Sequence, residues 1–114
     1  MLKKQFKKKI TMLKFRQLIN TSEPVLVFFF HETEGVRQAM SPILQEISKI
    51  TNGKAKVVKM EIDKNKQVAD YYKISAISET MLFKNGQLVW RSEGHLTSEK
   101  LIEIINKNIE LHTA

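Results

Sequence analysis

Six consecutive residues, Val25 to Phe30, read Val-Leu-Val-Phe-Phe-Phe with no polar side chain among them. A strand with one wet face alternates apolar and polar, so an uninterrupted run predicts a strand covered on both faces, as at the centre of a parallel sheet. Such a strand needs helices on either side. From Val36 the apolar positions Met40, Ile43, Leu44, Ile47 and Ile50 recur at spacings of three and four, which makes one helical stripe facing a sheet. Pro42 interrupts that stripe, and a mid-helix proline predicts a bend rather than a stop. Asn52-Gly53 ends it. Ahead of the run, Leu13, Phe15, Leu18 and Ile19 fit a short helical face that Asn20 to Glu23 and Pro24 terminate.

The second half repeats the alternation. Val57, Val58, Met60 and Ile62 place a second strand over residues 56–63, and Val68, Ala69 and Tyr72 place a short helix within 64–73. Strand, helix, strand implies a parallel pair. Residues 80–84 and 88–92 flank Asn85-Gly86, the dipeptide that favours a tight hairpin, so the last two strands should be antiparallel neighbours. A closing helix follows, capped by Thr97 or Ser98, with Leu101, Ile102, Ile105 and Ile109 on one face and a polar tail at His112. No internal repeat or interdomain linker interrupts the pattern.

With 114 residues, 42% hydrophobic and 27% charged, the chain has the composition of one globular domain. A domain of this size buries about two-thirds of its unfolded surface and needs no disulfide or metal to fold. The chain has no cysteine, which excludes thiol exchange, peroxidatic thiols, zinc-thiolate sites and cysteine nucleophiles built from its own side chains. The net charge of +7 is unevenly placed: residues 1–11 hold Lys3, Lys4, Lys7, Lys8 and Lys9 and no acid, leaving 14 basic against 12 acidic residues elsewhere. The basicity therefore describes an arm rather than a surface of the body. Residues 1–11 are read as a mobile solvated arm and 12–114 as the domain, and translation starting at Met12 would remove the arm. Lysines break every apolar stretch a secretory signal would need, and 25–30 is too short to span a membrane, so a cytoplasmic location is expected.

Several short motifs carry a family resemblance. Pro24-Val25-Leu26-Val27-Phe28-Phe29, then Pro42-Ile43-Leu44 with Glu46-Ile47, then Glu61-Ile62-Asp63, then Leu82-Phe83-Lys84-Asn85-Gly86 with Gly94, resembles thioredoxin in order and spacing from about residue 12 to 110. The resemblance implies an α/β thioredoxin fold, a central mixed β-sheet flanked by helices on both faces. Activity has to be read at the site. Counting back from Pro42, the family's Cys-Gly-Pro-Cys motif falls on Glu34-Gly35-Val36-Arg37, where only the glycine matches. The tryptophan that usually precedes the motif falls on Thr33, the buried aspartate on Phe28, and the cis-proline on Ser78 of Ile77-Ser78-Glu79. Nucleophile, resolving thiol, acid and cis-proline are all replaced. On this reading the reductase mechanism is abandoned, no residue is catalytic, and the chain is expected not to be an enzyme.

Each replacement also has an ordinary explanation. Phe28 gains burial and removes the desolvation cost of an acid. Glu34 stands at the positive end of a helix, where a carboxylate is favoured without any catalytic duty, and Arg37 can pair with it. His31, Glu32 and Glu34 suggest a metal only superficially, since neighbours at a strand end do not converge, and neither metal nor cofactor is expected. His95 and His112 read as solvated. The leading functional reading is a redox-inactive protein-interaction module, monomeric, using the former substrate groove: Thr33, Glu34, Arg37, Ile77, Ser78 and Glu79 would hold an unknown protein partner by strand addition. An enzyme of another kind with Glu34 as acid or base has no partnered nucleophile, phosphate loop or acid pair behind it. Nucleic acid or an anionic membrane would be reached only through the lysine arm. The Ile77-Ser78 peptide is expected to be trans, because a cis bond before a non-proline residue costs about 2.5–4 kcal/mol.

Overall fold

The computed structural model describes residues 4–6, 10–32, 34–94 and 96–113, with the backbone alone described at 4–6, 34, 36, 37 and 110–113. The elements in chain order are β1 (Lys4–Phe6), α1 (Met12–Ile19), β2 (Val25–Phe30), α2 (Glu34–Thr51), β3 (Lys56–Glu61), α3 (Lys66–Tyr71), β4 (Ser78–Lys84), β5 (Gln87–Glu93) and α4 (Ser98–Thr113). The strands form one sheet in the order β1-β3-β2-β4-β5. β2 lies at its centre, parallel to β3 and antiparallel to β4, with Phe28 opposite Lys59 on one side and Thr80 on the other. The unbroken apolar run is thereby explained. Leu26, Phe28 and Phe30 face Met40, Leu44 and Ile47 of α2 and Leu101 and Ile105 of α4, while Val25, Val27 and Phe29 face Phe15 and Ile19 of α1 and Val68 of α3.

Helix ends follow local chemistry. Thr11 Oγ1 accepts from Lys14 N at 3.1 Å to cap α1, and Thr97 Oγ1 accepts from Lys100 N at 3.2 Å to cap α4. α2 continues through Pro42 and stops where Asn52 and Gly53 take φ of 44° and 85°, left-handed values that a helix cannot continue. The β4–β5 turn has positive φ at both Asn85 (53°) and Gly86 (82°), the form that matches strand twist. Two apolar stripes overreach by one residue: Leu13 and Ile50 are 68% and 53% exposed.

The mobile solvated arm needs correction. Lys4–Phe6 form β1, a parallel edge strand in register with Val58–Met60 of β3. Ile10 packs on the α1 and α3 side of the core, and its N–H donates to Oδ1 of the buried Asn65 at 3.0 Å. Asn65 Nδ2 in turn donates to Glu61 O at 2.9 Å, so one buried amide ties the N-terminal segment to the end of β3. Nothing in the sequence announces this tie, because Asn65 sits in the polar stretch Asp63-Lys64-Asn65-Lys66-Gln67 and its partner Ile10 is 55 residues away.

Across from Phe28, the fully buried Thr80 keeps its Oγ1 without a partner among the described residues. An unpaired buried hydroxyl costs about 1–3 kcal/mol. Thr80→Val keeps the shape and removes the hydroxyl, so it is expected to raise stability by about 1 kcal/mol in chemical denaturation; a loss of stability would show that the hydroxyl is satisfied in solution.

Candidate functional site

The ends of β2 and β3, the first turn of α2 and the start of β4 meet at one pole of the sheet. Glu34, Gly35, Val36 and Arg37 form the first turn of α2, because the chain leaves β2 at Phe30 and becomes helical within a few residues. Thr33 lies outside the described residues, as do the side chains of Glu34, Val36 and Arg37. Gly35 is not required by space: a Cβ there would meet nothing within 4 Å.

Ile77 and Ser78 stand beside the end of β2, from which this turn departs. The described residues contain no cis peptide bond, so Ile77-Ser78 is trans as expected. Ser78 opens β4 opposite Phe30 and is buried, and its carbonyl accepts from Gly94 N at 3.0 Å. Ile77 is 63% exposed, and its carbonyl accepts from His31 N at 2.9 Å. Phe28 is fully packed, its ring stacked on that of Phe30 at 5.6 Å and 9° between planes. A packed ring, not an acid, stands at this position.

Glu79 is not on the groove rim. It is 2% exposed and lies opposite Phe29, on the α1 and α3 side of the sheet, away from α2. There its carboxylate pairs with Arg91 Nε of β5, and Arg91 Nη2 donates to Tyr72 O at 2.9 Å. The strand's two-residue period places Glu79 opposite in face to Ser78 and Thr80, a rule the linear motif does not display. The pair is structural: it joins β4, β5 and the end of α3 and so fixes both ends of residues 73–78. Burial, reinforced by the adjacent Tyr71 phenol and opposed by Arg16, holds the Tyr72 phenol above its usual range.

His31 finds a partner that sequence reading missed. Its Nδ1 lies 3.1 Å from both carboxylate oxygens of Asp63, linking the ends of β2 and β3. The parallel register sets Phe30 against Glu61, which brings the residues just beyond each strand together. No group of three metal-ligating side chains occurs among the described residues, and none of their helices is long and apolar enough to cross a membrane. His95 lies outside the described residues; His112 lies on the last turn of α4, its side chain undescribed.

The fold and the site define a protein of thioredoxin architecture. The thioredoxin family profile matches residues 6–107. Thioredoxin from Rickettsia felis is 39% identical over 94 residues, covering 82% of this chain and 90% of that protein. Thioredoxin Y, chloroplastic, from Oryza sativa subsp. japonica is 40% identical over 105 residues, 91% of this chain, although the chain spans only 62% of that protein's length. A solved thioredoxin from Plasmodium falciparum is 28% identical with a TM-score of 0.73, covering 88% of this chain and 97% of that one. The chain belongs to the thioredoxin family.

This membership corrects the expectation that the chain is not an enzyme. Its relatives are named thioredoxins, which are thiol-disulfide oxidoreductases, so the chain stands within an enzyme family. The absent cysteines establish only that positions 34 and 37 carry no sulfur.

Proposed function

We propose that the domain holds an extended segment of a protein partner in the groove between the first turn of α2 and Ile77-Ser78, without redox cycling of its own side chains. Ile77 carries the reading. It is a large apolar residue, 63% exposed, directly before the first residue of β4, and its N–H meets no acceptor among the described residues. An extended peptide can add to such a position through main-chain hydrogen bonds while its side chains find apolar contact. The trans peptide directs the Ile77 carbonyl to His31, leaving the amide as the anchor.

Thr33, Glu34 and Arg37, which follow β2 in the chain, supply the charged and polar side of the proposed groove, and Ser78 contributes backbone alone. Fixed charges beside a groove reject mismatched partners and steer matched ones, so a narrow partner range follows. Glu79, committed to Arg91, has no part in it.

The test is selection of displayed random peptides on the immobilised full chain, followed by affinity measurement. Ile77→Asp and the charge reversal Glu34→Lys with Arg37→Glu are each expected to weaken selected peptides at least tenfold, about 1.4 kcal/mol. Leu88→Asp, at an exposed apolar position on β5, should leave affinity unchanged. Unchanged binding by both groove variants, with the fold intact, removes the groove as the interface.

A further inference from the structure

The chain contains two Asn-Gly dipeptides, Asn52-Gly53 and Asn85-Gly86. In such a pair the glycine amide nitrogen attacks the asparagine Cγ: a new N–Cγ bond closes a succinimide, the Cγ–Nδ2 bond breaks, and ammonia leaves. Water then opens the ring at either carbonyl, giving aspartate or isoaspartate. Glycine permits the attack because it has no Cβ to hinder the nitrogen's approach. Both asparagines start from left-handed backbone, φ 44° and 53°, so closure at either requires the local chain to turn.

What holds each glycine differs. Gly86 N donates to Ile19 O at 3.1 Å and Asn85 N to Thr21 O at 3.1 Å, which pins the hairpin turn against the end of α1. Asn20 presses on it as well, since a Cβ on Gly86 would meet Asn20 Oδ1 at 3.3 Å. Gly53 N has no acceptor among the described residues, a Cβ on it would meet nothing within 4 Å, and both Asn52 and Gly53 are exposed. The nucleophile is therefore tied at position 86 and unheld at position 53.

We infer that Asn52 is a site of spontaneous deamidation in the folded protein and that Asn85, in the same dipeptide, is protected by the fold. Conversion places a new carboxylate at the C-terminal end of α2, where the helix already carries partial negative charge. Isoaspartate also lengthens the main chain beside a turn closed by Lys54 N to Thr51 O at 2.9 Å. The modified form is thus more acidic and less stable. This inference is independent of the groove.

The full chain is incubated at mildly alkaline pH, natively and in urea, and both asparagines are followed by peptide mass mapping and chromatographic separation of the isoaspartyl products. Native protein should convert Asn52 at least tenfold faster than Asn85, and urea should bring the two rates together. Equal native rates, faster conversion of Asn85, no conversion of Asn52, or a ratio unchanged by urea would each overturn the inference.

Discussion

Replacing Arg91 by methionine is expected to lower the unfolding free energy by about 3 kcal/mol, read from urea denaturation at neutral pH. Glu79 is 2% exposed, and removing its cation leaves a carboxylate in an apolar layer between Phe29 and the α1 and α3 side chains. Removing one partner of a buried pair costs about 3–5 kcal/mol, and the 38% exposure of Arg91 puts the value at the low end, because water reaches one side of the pair. Glu79→Leu with Arg91→Met should recover most of the loss, since an apolar pair leaves no orphan charge. The single variant also releases Tyr72 O, so residues 73–77 should lose protection in hydrogen exchange ahead of the rest of the sheet. A loss below about 1 kcal/mol would mean that the pair behaves as a surface contact.

Phe28→Asp introduces the acid that the thioredoxin resemblance implies at this position and is expected to destabilise the fold by more than about 4 kcal/mol. Truncating a buried phenylalanine costs about 3–5 kcal/mol. Burying the carboxyl adds to that, even protonated. Phe28 is 1% exposed and stacked on Phe30, and the cross-strand Thr80 hydroxyl offers one donor, a gain of only about 1 kcal/mol. Urea denaturation of the variant is the check. Stability within about 1 kcal/mol of the parent would show that the core accommodates an acid at this position.

Much of the architecture is legible because it depends on period and turn chemistry. Val25–Phe30 declares a central strand, Asn85-Gly86 a hairpin, and the stripe from Met40 to Ile47 a helix on the sheet, and each stands where those patterns place it. The family follows from the ordered motifs. What was not legible depends on partners distant in sequence. The strand Lys4–Phe6 is held by β3 and Ile10 by Asn65, partners that residues 1–11 do not announce. Glu79 looked like a rim charge because Ile77-Ser78-Glu79 is contiguous, yet alternation along β4 sends its side chain to the opposite face, toward Arg91. His31 looked like a neighbour of Glu32 and Glu34, whereas parallel register joins it to Asp63. Absence of cysteine, read as absence of enzymatic character, spoke only to which atoms this chain supplies.

The groove is tested most directly by amide chemical-shift mapping of the isotope-labelled full chain with a selected peptide. Shifts are expected to centre on Ile77 and Ser78, extend to His31, Gly35 and Gly94, and spare the opposite pole at Pro24, Gly53 and Lys84. Ile77 should also gain hydrogen-exchange protection as its amide takes up a peptide carbonyl. Shifts centred on that opposite pole, or on Leu88 and Val89 of β5, with Ile77 unmoved, would contradict the assignment of the groove.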